Sequence, residues 1–181
     1  VYSNYRSGGT NRIIAYHSWD DFEDADRNTN APNIIMTGSL DGNVSAIKVS
    51  PFTTDSSTIF VGTESGSVFK VTNADTADAN DNSTANWSNI TGSQFLGSVS
   101  DIEFGKDENH IFVTFHNYGV ENIFYSEDGG QSWTEKEGNL PDIPVRCILQ
   151  NPLSLNEVII GTELGVWYTK NFESDNPDWS R

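Results

Sequence analysis

Three segments of the chain spell nearly the same pattern, and this repetition restricts the fold more than any other feature. Val44-Ser45-Ala46-Ile47-Lys48-Val49, Val99-Ser100-Asp101-Ile102-Glu103-Phe104 and Val145-Arg146-Cys147-Ile148-Leu149-Gln150 open the copies, so the spacing is 55 and then 46 residues. Each is followed by a second apolar run, at Ile59–Thr63, Ile111–Phe115 and Val158–Thr162, and by a third at Ser67–Val71, Asn122–Ser126 and Val166–Thr169. A tryptophan marks a fourth segment in each copy, Trp87, Trp133 and Trp179. The pentads Gly62-Thr63-Glu64-Ser65-Gly66 and Gly161-Thr162-Glu163-Leu164-Gly165 match at the same place in two copies. Side chains that change character at every residue, β-branched and aromatic runs, and gaps filled by Gly, Asn, Asp and Ser are the marks of strands and turns. Four short strands per repeat of this length predict an all-β fold built of four-stranded antiparallel blades, a portion of a β-propeller with helix content near zero.

Residues 1–43 read as an incomplete copy. Ile13–Ser18 is expected to be its third strand and Asn33–Thr37 its fourth, with the acidic stretch Trp19–Ala31 as a loop between them. A second long insert, Asn73–Ala85, falls at the matching place in the next copy. The expected organisation is one propeller segment over 1–181, about three and a half blades at 1–43 (partial), 44–98, 99–144 and 145–181. A closed ring takes about four to eight blades, which hides the strand edges. The segment is therefore expected to belong to a larger ring of about seven blades, completed by further blades of the same polypeptide or by a second copy. The sequence opens at Val1 rather than on an initiator Met or a signal peptide, so the natural start is expected to be missing or removed.

Charge narrows the range of partners. The 181 residues carry 10 basic and 26 acidic side chains, a net charge of −16. A clustered basic face for phosphate is missing from such a composition, which argues against nucleic acid and against anionic membrane. No apolar run approaches the roughly 20 residues needed to span a bilayer as a helix. The single cysteine, Cys147, forms no internal disulfide and is expected to be a small buried apolar residue on an inner strand.

Ser126-Glu127-Asp128-Gly129-Gly130-Gln131-Ser132-Trp133 fits S-x-D-x-G-x-[ST]-W at every fixed position, between the expected third and fourth strands. It resembles the Asp-box, or BNR repeat, of sialidases, sortilin-type receptors, xyloglucan-cleaving glycosidases and secreted bacterial propellers. Gly138-Asn139-Leu140-Pro141-Asp142-Ile143-Pro144-Val145, followed by Asn151-Pro152 and the second pentad, is similar to repeats of glycosyl hydrolase-like proteins in the last group. The resemblance implies a structural box at the blade rim, remote from the substrate end, with Ser126, Asp128, Gly130, Ser132 and Trp133 as its fixed members. The chemistry agrees: Ser126 and Asp128 can cap turn N–H groups, Gly130 permits positive φ, and Trp133 covers the turn.

Other chemistry is weighed residue by residue. A sialidase needs three arginines around a carboxylate, and of the five arginines only Arg146 falls on an expected innermost strand. An inverting glycosidase needs two carboxylates roughly 6.5–9.5 Å apart. Asp101, aligned with Ala46 and Cys147 on an inner strand, is the catalytic candidate, with Asp142 and Glu103 behind it; the alternative is a solvated channel lining. His110 and His116 lie about 20 Å apart along an extended strand, too far for one metal, and His17 stands alone. The acidic inserts Asp20–Asp24 and Asp75–Asp81 lack EF-hand spacing, so structural calcium is a minor alternative to solvated acid and no cofactor is expected. Sequons at Asn43, Asn82, Asn86 and Asn89 are read as chance occurrences.

The expected function is a non-catalytic secreted or cell-surface scaffold or recognition module presenting its blade loops to a glycan or protein. The alternatives are an inverting, xyloglucanase-like hydrolase whose cleft is completed by further blades, and a sortilin-like ligand-binding receptor propeller. Fold alone does not separate them.

Overall fold

The computed structural model describes residues 2–7, 10–15, 34–36, 40–76 and 85–181. They form four antiparallel sheets in chain order. The first is β1 (Tyr2–Ser7), β2 (Thr10–Ala15) and β3 (Ile34–Met36). The second is β4 (Val44–Val49), β5 (Ile59–Thr63), β6 (Val68–Thr72) and β7 (Asn86–Asn89). The third is β8 (Val99–Phe104), β9 (Ile111–Phe115), β10 (Ile123–Ser126) and β11 (Thr134–Glu135). The fourth is β12 (Val145–Asn151), β13 (Ser154–Thr162) and β14 (Gly165–Thr169), with a single bridge from Tyr168 to Ser180 where a fourth strand begins. Among the described residues there is no α-helix, only a 3-10 turn at Ala74–Thr76. The sheets stack one on the next with first strands side by side, β4 against β8 and β8 against β12. This is the blade arrangement of a β-propeller.

The residues that open the chain need one addition to the reading of the sequence. Strand β1 had no counterpart there, because Tyr2–Ser7 is mostly polar. It lies on β4 as β5 lies on β8 and β9 on β12, so it occupies the second position of its sheet. β2 and β3 then take the third and fourth positions, overlapping the expected strands at Ile13–Ala15 and Ile34–Met36. Tyr16–Ser18, Asn33, Thr37 and the stretch Trp19–Ala31, expected to be a loop, lie outside the described residues.

Three core layers fill the gaps between sheets. Ile13, Ile59, Val61, Phe69 and Val71 pack between the first and second sheets. Phe60 and Val68 meet Ile102, Phe104, Ile111, Val113 and Phe115 between the second and third. Phe112 and Ile123 meet Ile148, Val158, Ile160 and Phe172 between the third and fourth. Because successive strand residues point to opposite faces, β5 and β9 are buried at every position: one face packs on the preceding sheet, the other on the following one. Each fully buried Phe of these layers contributes on the order of 1.5–3 kcal/mol. Two ion pairs flank the layer between the second and third sheets, Lys48–Glu103 at 2.6 Å and Lys70–Glu108 at 2.7 Å.

The repeated pentad has a physical cause. Gly66 and Gly165 adopt φ of +90° and +106° in the turn between second and third strands, a conformation that L side chains resist. A Cβ on Gly62 would meet Val99 Cγ1 at 2.5 Å, so glycine there lets the next sheet approach. The first strands share a further device, a β-bulge at Val44/Ala46, Val99/Asp101 and Val145/Cys147. It overturns the expectation for Cys147. A bulge sets two residues of one strand against one of its partner, and here Arg146 and Cys147 are both exposed while Val145 and Ile148 are buried. The thiol is exposed, not a core group.

Candidate functional site

The two ends of the sheets differ in chemistry. β10 leaves its sheet at Ser126, and the turn to β11 gathers the box residues. The Ser126 hydroxyl donates to Asp128 Oδ1 at 2.8 Å and accepts from the backbone N–H of Gly130 at 2.8 Å. Asp128 in turn accepts from the Ser132 N–H at 2.9 Å and the Ser132 hydroxyl at 2.6 Å. These donors, Ser132 first, pull the Asp128 carboxyl down to about 2. Gly129 and Gly130 take φ of +74° and +90°. The Trp133 indole N–H reaches the Ile90 carbonyl of the preceding sheet at 2.8 Å, and its ring packs on Phe95 with centroids 5.0 Å apart. Ser126, Asp128 and Ser132 thus spend their side chains on one another and on the backbone of the turn.

Trp179 repeats the stitch, its indole N–H donating to the Lys136 carbonyl at 3.1 Å. The Trp87 indole nitrogen is buried and has no partner among the described residues.

At the opposite end, where β9 runs into β10, polar groups from three elements converge. Tyr118 stands in the β9–β10 loop, Arg146 at the start of β12 and Glu163 in the β13–β14 turn. The Glu163 carboxylate accepts from Arg146 Nη2 at 2.7 Å and from the Tyr118 hydroxyl at 3.3 Å. His116 Nε2 lies 3.3 Å from the same carboxylate but is buried and makes no hydrogen bond with it. The Asp142 carboxylate accepts the Gly119 N–H at 2.7 Å and holds the loop in place. The Tyr118 side of this platform is open, since the residue is 60% exposed. Arg146 is the one cation of the cluster with a fixed charge.

Beside the platform lies a cleft of about 440 Å³ lined by Gly119, Glu121, Glu135, Glu137, Asp142 and Asn176, among others. One oxygen from each of Glu121, Glu135 and Glu137 lies within 4.8 Å of the other two. Glu137 is buried and accepts the Asn122 N–H at 2.6 Å; burial, with Glu121 and Glu135 nearby, raises its carboxyl to about 7. Burial and the neighbouring Glu135 and Asp142 also raise Glu121. These carboxylates are the kind of hard oxygen donors that suit calcium or magnesium.

The candidates read from sequence are dispersed. Asp101 is half-buried at the bulge of β8; its two oxygens accept the N–H of Ile102 at 2.9 Å and of Ile148 on β12 at 3.2 Å. Its carboxyl is raised, burial being the main cause. It is a latch between sheets. Glu103 is held by Lys48, and Asp142 alone of the three lines the cleft. His110 pairs with Asp107 at 2.6 Å, while His17 lies outside the described residues. Of the acidic inserts, Asp20–Asp24 and Asp81 lie outside the described residues, and Asp75 accepts the Ser57 N–H at 2.7 Å. Asn43 donates to Glu64, and Asn89 accepts the Thr91 N–H. Sequence reasoning missed Tyr118, Glu163 and the three glutamates. The pentad already marked Glu163; Glu135 and Glu137 stand two apart in sequence, but Glu121 joins them only through the β10–β11 hairpin.

No family model matches the chain, and no curated protein matches it. Among solved structures it is similar to YCF48 from Cyanidioschyzon merolae, with a TM-score of 0.56 and 16% identity, over 77% of this chain and 41% of that one. It is similar to the GH74 enzyme of Niastella koreensis, with a TM-score of 0.59 and 16% identity, over 97% of this chain and 26% of that one. It is also similar to the GH74 xyloglucanase from Xanthomonas campestris, with a TM-score of 0.55 and 12% identity, over 94% of this chain and 28% of that one. The chain spans less than half the length of each. At these identities the likeness shows the fold, a β-propeller, and not the activity.

Proposed function

We propose that the chain is a non-catalytic recognition scaffold of the Asp-box propeller type, secreted or displayed on a cell surface. It binds a glycan on the platform of Tyr118, His116, Arg146 and Glu163. The supporting observation is the open aromatic face of Tyr118 set among fixed hydrogen-bonding groups, at the end of the sheets remote from the Ser126–Trp133 turn. A sugar offers one apolar face and a rim of hydroxyls. An exposed aromatic with neighbouring donors and acceptors matches both.

Hydrolysis of a glycan is the second reading, favoured by the likeness to GH74 enzymes. It needs carboxylates roughly 6.5–9.5 Å apart with a water between them in the inverting case. Asp101 is committed to two backbone donors, and the glutamates of the cleft crowd within 4.8 Å. Binding fits these groups better than bond cleavage.

A glycan array that includes xyloglucan oligosaccharides, run beside a reducing-sugar assay, separates the readings. The expected outcome is binding without sugar release, weakened at least about tenfold by Tyr118→Ala, the effect of losing a contact of about 1.4 kcal/mol. Sugar release that survives purification, or binding indifferent to Tyr118→Ala, overturns the proposal.

A further inference from the structure

The β9–β10 loop that carries Tyr118 is closed from beneath by one side chain, Asn122, which is wholly buried. Its Oδ1 accepts the Asn117 N–H at 3.4 Å and its Nδ2 donates to the Val120 carbonyl at 3.0 Å, so it bridges both arms of the loop. Two carboxylates fix this unit to the sheet. Asp142 accepts the Gly119 N–H, and Glu137 accepts the N–H of Asn122 itself at 2.6 Å. Asp142 is open to solvent, whereas Glu137 is only 8% exposed.

An ionised carboxylate at Glu137 is poorly compensated. Glu121 faces it from the loop and Glu135 from β11, with one oxygen of each within 4.8 Å of one of its own. Asp142 lines the same cleft from the segment before β12, and Asn176, from the segment after β14, is uncharged. Lys136 turns away, its Nζ donating to the Ser174 carbonyl at 2.8 Å. Among the described residues, no lysine, arginine or histidine lines the cleft. Glu135 is held in place, since it accepts the Glu137 N–H. Glu121 is exposed and directly precedes Asn122, so it moves wherever the loop moves.

We propose that Glu137 is a proton-dependent catch on the β9–β10 loop: protonated, it holds Asn117–Asn122 closed against the sheet, and on losing the proton it lets them open. Ionisation strengthens the single bond to the Asn122 N–H, but it also sets a buried charge against two others. Opening the loop carries Glu121 away and gives that charge water. Burial and the neighbouring carboxylates outweigh the bond, since the Glu137 carboxyl stands at about 7 in the closed form against an ordinary 4.5. The closed form therefore binds the proton more tightly than the open one. Its advantage is complete below the ordinary value and is lost as pH rises toward 7. By the same linkage, a ligand that needs the closed loop takes up a proton when it seats on Tyr118; this consequence alone rests on the glycan reading.

The test is amide hydrogen exchange of the whole chain, followed by NMR from pH 4.5 to 8 and expressed as protection factors, which divides out the intrinsic pH dependence of exchange. The buried Asn122 N–H and the Gly119 N–H exchange only when the loop opens. Their protection is expected to fall by up to about tenfold per pH unit as pH rises toward 7, and to level off above it. The Ser132 N–H, held by Asp128 at the other end of the sheet, is expected to stay constant across this range. Glu137→Gln keeps an acceptor without a charge, so protection at Gly119 and Asn122 becomes independent of pH. Glu121→Gln, at an exposed position, removes one of the opposing charges and moves the fall to higher pH, because Glu137 then ionises with less consequence for the loop and the fall becomes smaller. Constant protection at Asn122 in the unaltered chain, a fall that survives Glu137→Gln, a fall untouched by Glu121→Gln, or an equal fall at Ser132 each overturns the catch. Amides that respond in a chain that binds no glycan would sink the glycan reading alone; unresponsive amides in a chain that binds glycan at Tyr118 would sink the catch alone.

Discussion

Ser126 is 1% exposed, and its hydroxyl is the acceptor for the buried Gly130 N–H. Ser126→Ala strands that donor and is expected to cost about 1–3 kcal/mol in urea unfolding. Asp128 acts through pH. Its folded value of about 2 lies below the ordinary aspartate value of 3.8, so its contribution is present above the ordinary value and is lost as pH falls toward 2. Asp128→Asn is expected to flatten the acid limb of a stability–pH curve across that window, and an unchanged limb would remove the role assigned here. Glu137 has the opposite sign. Its folded value of about 7 exceeds the ordinary 4.5, so the folded state holds an extra proton between the two and stability falls as pH rises through that range. At about 1.4 kcal/mol per unit the difference is on the order of 3 kcal/mol. Glu137→Gln retains an acceptor for the Asn122 N–H and is expected to remove most of that slope in thermal melts between pH 4.5 and 7.

At the scale of elements, the tryptophans allow an internal comparison. Trp133→Phe and Trp179→Phe each delete one indole N–H bond to the preceding segment and are expected to cost about 1 kcal/mol. Trp87→Phe removes a buried N–H without a partner among the described residues, and its cost is expected to be smaller by that amount. Equal losses at all three positions would show that the stitch contributes nothing. The same elements explain what the sequence made legible. The apolar runs of β5 and β9 announce strands buried on both faces, and the pentad glycines announce a turn and a close approach. β1 escaped notice because Tyr2–Ser7 shows no apolar alternation. The expectation for Cys147 rests on residue type alone, and the bulge that turns it outward with Arg146 is invisible to a period of two. The latch role of Asp101 needs the Ile148 N–H of another strand, 47 residues away, to be seen.

At the scale of the molecule, the sheets divide labour by end and by face. One end closes its turns on their own hydrogen bonds, as at Ser126–Trp133. The other leaves Tyr118, Arg146, Glu163 and the glutamate cleft facing solvent. That polarity was only half legible: the box motif marked the closed end, whereas the open end is assembled from the β9–β10 loop, the start of β12 and the β13–β14 turn, which only the fold brings together. The described residues form part of a β-propeller, and the proposed glycan platform lies at its open end. Residue-resolved amide NMR of the labelled protein, titrated with the tightest glycan from the array, tests this most directly. The account predicts shifts concentrated at His116–Gly119, Arg146 and Glu163–Gly165. Shifts concentrated instead at Ser126–Trp133, or none with any glycan, would contradict it.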